Sequence, residues 1–398
     1  MTAKKTATPR GEGRPSDGTI LLTMAVLIQA APAVFYVLHL FPFLVENHVR
    51  LLGVGLCILS LVAYSFYFVL WKTLGLRSLM GFFFFFIAFT AYIDTFISLC
   101  LTSPSFFLGR FYLDRGEKYF NCAYGFMCLF WDGTFHVAIQ SLLAFLAFTN
   151  REYHFVALVW SGSIVNSMAP LLLGGATGPY SQHIQAATAL NGPYVFLPVA
   201  VIFALLSKTP AVHRKEGAGS RVKSHSLLVD LVLMTYNFLM PLVHIVRAMC
   251  VMGSKAKVVD WWLQIEPVFD RRLLIDRNDE QDYAFMAIQA VQWAFWFAPW
   301  HWAALFEQVE RIRTNKRTVV LGTMGVDFSA IVFGAYLQSI ACHIASSYLD
   351  MHEGVPGLHV RKVPLSQEFW LLNIATLIGA LLHFSHFHVQ DVEDSKQD

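Results

Sequence analysis

Few side chains in the apolar stretches of this sequence can carry charge, and any chemistry would be sought there. Asp94 sits in FTAYIDTFI with no basic residue in the same apolar run. Asp132 and His136 stand four apart in WDGTFHVAIQ, with Gln140 four further on, so a helix would place all three on one face. His244 and Arg247 are three apart in MPLVHIVRAM. A carboxylate beside an imidazole can pass a proton, and the same groups with an amide can anchor a polar head group. Equally, they can bond one another as glue between helices. Asp327 and His343 are about 24 Å apart along a helix rising 1.5 Å per residue, too far to meet. His383, His386 and His388 form HxxHxH, but no carboxylate or cysteine in the same turn completes a site, so no metal is expected. No P-loop, GxSxG, HExxH or dinucleotide fingerprint occurs in usable context, and no cofactor is expected.

The elements that hold these residues are greasy. Of 398 residues, 14% are charged and 56% hydrophobic, with mean hydropathy +0.51. A soluble domain carries about 25% charge. That balance, together with long uncharged runs, excludes a water-exposed globule, a disordered chain, a disulfide scaffold and a nucleic-acid binder. Ten runs are long enough for a bilayer core of about 30 Å, which takes roughly 20 helical residues. They lie after Asp17, after Arg50, from 78 to about 110, from 118 to 151, two between Glu152 and Lys208 split at GGATGP, then at 226–252, 283–306, 318–348 and 369–388. The expectation is an all-α polytopic bundle of about ten transmembrane helices. If the N-terminus is cytoplasmic, seventeen Lys and Arg fall on that face against eleven opposite, which puts both termini in the cytoplasm. The first 18 residues are polar and rich in Gly and Pro, reading as a disordered tail rather than a signal peptide. The six cysteines lack metal-ligand spacing and read as small core residues.

Two halves share an order of motifs. GEKYF at 116–120 resembles IEPVF at 265–269, and Phe130-Trp131 followed by His136 resembles Phe295-Trp296 followed by His301. Spans three to six and seven to ten would then be two four-helix units. Four is an even number, so the units enter from the same side and are related by a pseudo-twofold along the membrane normal. The resulting division is 1–18 tail, 19–72 two additional helices, 78–208 first unit, 209–225 basic linker, 226–388 second unit and 389–398 acidic tail. In this scheme His244 and Arg247 take the place of Asp94. Arg247 is then a candidate counter-ion for Asp94 or Asp132, and His244, Arg247, His301 and His343 are candidates for a second cavity.

WDGTFH, GEKYF upstream, EPVF and KVP in later loops and HIAS at 343–346 make the chain resemble the transmembrane 6 superfamily over about 19–388. The resemblance implies two EXPERA domains, the four-helix unit shared with emopamil-binding protein, a sterol double-bond isomerase, and with the sigma-two receptor. It further implies a sterol-sized cavity and a role in triglyceride-rich lipoprotein secretion, lipid-droplet content and cholesterol handling. The implied location is the endoplasmic reticulum membrane or the ER-Golgi intermediate compartment. Carried over by residue, the isomerase His and Glu fall on Thr90 and Asp94, so the acid is kept and the His is not. A second glutamate falls near Tyr124, while Asn191, Tyr194 and Pro198 keep the pattern of the last helix. In the second half the His is matched by His244 and its partner acid by Ala248.

The leading expectation is a lipid-handling membrane protein that holds a sterol or glycerolipid against Asp94, Tyr124, Asp132, His136, Asn191 and Tyr194. The bilayer is its surroundings, and no protein partner is implied. A second expectation is a sterol isomerase with Asp94 donating the proton and His136 or Asp132 removing one. A third is a secondary transporter, suggested by the repeat and the buried charges.

Overall fold

The computed structural model describes residues 15–103, 105–183, 186–207, 227–314, 325–351, 357–361 and 365–394. The basic linker, most of the N-terminal tail, the KVP motif at 362–364 and the last four residues lie outside them. Among the described residues, nine helices are long and apolar enough to cross a membrane: α1 Asp17–Leu40, α2 His48–Thr73, α3 Leu79–Thr102, α4 Ala123–Phe148, α5 His154–Thr177, α6 Thr188–Ser207, α7 Leu228–Val251, α9 Asp327–Tyr348 and α10 Gln367–Ser385. The chain is a multi-pass, all-α membrane protein. Strand structure among these residues is a single two-residue hairpin, β1 Leu349–Asp350 against β2 His359–Val360.

The expected tenth span is a correction in composition. It is helical, running Arg277–Gln292, Trp293–Phe297 and Ala298–Thr314 (α8), but its glutamines and tryptophans keep it below the apolarity of the other nine. Its course is nevertheless that of a span. Gln308 bonds Asn237, Trp293 packs on His244 and Tyr283 reaches the Val251 carbonyl, so α8 runs antiparallel along most of α7. The last helix continues to Asp394, beyond the end expected at 388.

Helix starts follow local chemistry. Asn47 accepts from Val49 and Arg50 N–H at the head of α2, Ser78 from Gly81 at α3, and Asp276 from Asn278 and Asp279 at α8. These side chains satisfy amides that have no partner within the helix. Aspartate and arginine tie this part of the molecule together: Arg361, just past β2, reaches Asp279 at 3.0 Å and Asp282 at 3.2 Å. Asp282 in turn accepts from the Tyr124 N–H at 2.6 Å and caps α4 from across the molecule.

The centre is the crossing of α5 with α9. A methyl group on Gly162 would lie 2.0 Å from the Ile331 carbonyl oxygen, and one on Gly334 would lie 1.9 Å from that of Val159, so only glycine fits either place. The two contacts are reciprocal: adding 172 to 159 and 162 gives 331 and 334. Asn166 and Gln338, themselves 172 apart, bond at 3.1 Å between them. Contacts of this kind, in which i meets j and the equivalent of j meets that of i, are those a twofold axis generates.

Candidate functional site

Beside the N-terminal half lies a cavity of about 130 Å³, partly open to the exterior. α3 contributes Thr90, Ile93, Asp94 and Ile97, whose spacing of three and four sets them on one face. α1 and α2 supply an apolar wall that includes Phe35, Leu38, Leu51 and Ile58. These two helices, expected as a simple addition to the first unit, therefore close one side of the space. The polar residues on the lining are Thr90, Asp94, Tyr112, Glu117, Asp132, Asn191 and Tyr194, with no lysine, arginine or histidine among them.

Glu117 is the residue that sequence reasoning missed as a site. It sits in the loop before the short turn Lys118–Phe120 and is 1% exposed. Tyr112 donates to its Oε2 at 2.6 Å, Asn191 Nδ2 to Oε1 at 2.5 Å, and Tyr119 also donates to Oε1. Burial pushes the carboxyl up to about 7, against the lowering effect of those three donors. The signal for it in the sequence is the acid that GEKYF shares with IEPVF at the same place in the two halves.

Asp94 has neither a hydrogen bond nor an ion pair among the described residues, and it faces the cavity. Tyr194 donates to Thr90 Oγ1 at 2.5 Å and Thr90 passes its own hydrogen to the Ile87 carbonyl, so the tyrosine oxygen keeps lone pairs for an incoming donor. Asp132 also lines the cavity, held from behind by His136 Nδ1 at 2.5 Å. The Thr95 hydroxyl donates to the Gly133 carbonyl at 2.7 Å, which locks α3 to α4 between Asp94 and Asp132.

Other expected members lie elsewhere. His136 is fully buried behind Asp132, its Nε2 2.8 Å from Ser163 Oγ, so it orients Asp132 rather than meeting a ligand. Gln140 does not join the pair: both its amide atoms are buried without a partner. A wide turn at Asp132–His136 interrupts the regular face that would have aligned it. Tyr124 is turned away from the cavity and its hydroxyl bonds Gln289 at 2.5 Å, because α4 is capped and pulled toward α8 by Asp282.

Arg247 is not the counter-ion of Asp94 or Asp132. It pairs with Glu266, Nη2 to Oε1 at 2.6 Å, since the turn Pro267–Phe269 brings that acid against α7 in the second half. His343 also bonds Glu266, at 3.0 Å. His244 and His301 share the Tyr336 hydroxyl at 2.6 and 2.7 Å, and His301 bonds Asn237 at 2.8 Å. These four residues fall into two buried clusters, Arg247 and His343 on Glu266, and His244 and His301 on Tyr336. Asp327 bonds His154 at 2.8 Å across the α5–α9 crossing. The tryptophans of α8 divide: Trp293 is buried, while Trp296 and Trp302 are exposed on the outer face. Among the described residues no group of three or more His, Cys, Asp or Glu could hold a metal ion, and the side chains of His386 and His388 lie outside them.

The fold and the site define a polytopic helical membrane protein with a small, carboxylate-rich and otherwise apolar cavity. Comparison with known proteins narrows the class. Residues 30–216 match the family model for the Transmembrane 6 superfamily member 2-like transmembrane domain. Human Transmembrane 6 superfamily member 2 is 32% identical over 129 residues, covering 32% of this chain and 34% of that protein. The mouse protein of the same name is 23% identical over 300 residues, 73% of each chain. The strongest of these alignments thus span about a third of the human and rat relatives. These matches support the resemblance to the transmembrane 6 superfamily that the motifs led one to expect. No solved structure matches it.

Proposed function

We propose that this protein handles lipid in the endoplasmic reticulum membrane, or the compartment between it and the Golgi, by holding the polar head of a sterol or glycerolipid in the N-terminal cavity. In this reading both termini are cytoplasmic, residues 78–208 and 226–388 are two EXPERA repeats, and the bound lipid links the protein to lipoprotein secretion and lipid-droplet content. The observation that carries it is Asp94, a carboxyl with no partner among the described residues, facing an apolar-walled hollow. An unpaired acid at membrane depth costs several kcal/mol unless it meets water or a ligand, which is why such residues mark sites. With three carboxyls and no cation on the lining, the fitting head group is a hydrogen-bond donor, an alcohol or an amine, and a phosphate or free fatty acid is disfavoured. A cavity of roughly 150 Å³ takes benzene, so about 130 Å³ suits a head group or one ring, with the rest of the lipid lying through the open side into the bilayer.

The test is mass spectrometry of lipid that co-purifies with the full chain. Asp94→Asn and Asn191→Leu should each deplete one neutral or amine-bearing lipid at least fivefold. Lipid content unchanged in both variants would remove the reading.

A second reading, sterol double-bond isomerisation, gains from Glu117. Moving a double bond needs one group to protonate carbon and another to accept a proton, and Asp94, Asp132 and Glu117 supply more than one carboxyl on a single cavity. Purified protein should then convert a delta-eight sterol, with turnover lost in Asp94→Asn; absence of conversion leaves binding alone.

A further inference from the structure

The second half holds a polar cluster that the cavity does not use. Arg247 donates to both oxygens of Glu266, from Nε at 2.8 Å and Nη2 at 2.6 Å, and from Nη2 to Asn373 Oδ1 at 3.1 Å. Trp262 Nε1, at 2.7 Å, and His343 Nε2, at 3.0 Å, complete the carboxylate. The guanidinium lies 4.8 Å from the centre of the Trp293 ring, and its Nη1 is buried with no partner.

Each main member has a counterpart in the first half. Glu266 and Glu117 both precede a three-residue turn and share a backbone shape, φ −121° and ψ 73° against φ −129° and ψ 72°. Each accepts from a carboxamide of the last helix of its half, Asn373 and Asn191. The separation of 172 seen in Asn166–Gln338 carries His343 onto Leu171. Matching His244 to Thr90 carries Arg247 onto Ile93. Ile93, Glu117, Leu171 and Asn191 all line the cavity. The guanidinium on Glu266 and Asn373 therefore stands where the first half has the space beside Ile93, while the Tyr112 and Tyr119 hydroxyls take up the Glu117 carboxylate in its place.

We propose that the second half contains a binding site of the same plan, occupied by the chain's own Arg247 side chain, and that vacating it leaves a site for a small cation with forked N–H donors, a guanidinium or amidinium. The proposal rests on reading the halves as repeats. It gives the head-group chemistry this plan accepts in a worked example within the same molecule. Glu266 is held well below the usual carboxylate range: burial alone would raise it, and Arg247 and His343 outweigh that. Glu117, with no cation beside it, is not so held.

The experiment titrates purified full-length protein in detergent with methylguanidinium, followed by calorimetry and by thermal unfolding. Arg247→Ala should gain one saturable millimolar site over the parent chain, and its Tm should rise with the probe. Arg247→Ala/Glu266→Gln should gain none. If Arg247→Ala does not yield folded protein, Arg247→Gln, which vacates the fork but keeps a polar side chain, is titrated for the same gain. No gained site in the folded variant, or an equal gain in the double variant, overturns the proposal. Adding Asp94→Asn separates the two readings. If the N-terminal cavity also takes the probe, total binding falls by one; if that reading fails, the site gained on removing Arg247 is unaffected.

Discussion

Asp94, Asp132 and Glu117 have three different environments within one lining, and their consequences differ. Asp132 is bonded from behind by His136, Asp94 is open, and Glu117 is buried under two tyrosines and an asparagine. For Glu117 the pH dependence has a definite sign. Its folded value, about 7, lies above its ordinary 4.5, so the folded state holds the proton more tightly than the unfolded chain does. The associated stability is complete below about pH 4.5 and is lost as pH rises through 7, on the order of 3 kcal/mol in all. Thermal unfolding of the purified protein should show Tm falling between pH 5 and 8, and Glu117→Gln should flatten that slope; an equally steep slope in the variant would show that another group is responsible. At the same scale, His136→Gln should weaken lipid retention less than Asp94→Asn does, because it loosens Asp132 without removing a lining carboxyl.

At the level of helices, the α5–α9 crossing is the least tolerant point. Gly162→Val places a side chain into the Ile331 carbonyl, and overpacking of this kind costs about 3 kcal/mol or more when the backbone cannot retreat. Size-exclusion chromatography and Tm should both report the loss, and Gly334→Val should match it, since the two sites exchange under the same offset. α2 plays the opposite part: only 11% of its most apolar window is buried within the protein, yet Leu51 and Ile58 wall the cavity. Ile58→Phe should accordingly lower co-purified lipid with little change in Tm. A loss of both together would mean that α2 holds up the fold as well as the cavity.

Across the whole molecule, Arg361 joins the hairpin of the second half to Asp279 and Asp282, and Asp282 caps α4 of the first. Arg361→Ala strands two largely buried acids, a change worth about 3–5 kcal/mol, and protease sensitivity between 349 and 361 should rise along with the fall in Tm. Several features of this molecule were legible in one dimension. Uncharged runs disclose membrane helices because a bilayer tolerates few charges, so nine of the ten expected spans and the all-α class followed from residue types alone. The eighth was expected as an ordinary span and proves less apolar than the others, since Gln281, Gln289, Gln308 and Trp293 face protein and need no lipid-like polarity. What spacing could not decide was partnership. Arg247 is four residues from no acid, and only the turn at Pro267–Phe269 brings Glu266 to it. Glu117 reads as a loop residue until Tyr112, Tyr119 and Asn191 close over it, and Tyr124 reads as a site residue until Asp282 turns its helix away. Local sequence determines which segments leave water, because transfer into lipid is a sum over residues. Which polar groups meet inside depends on contacts between separate segments, from Arg247 and Glu266, 19 residues apart, to Tyr124 and Asp282, 158 apart, and these exist only once the helices have packed.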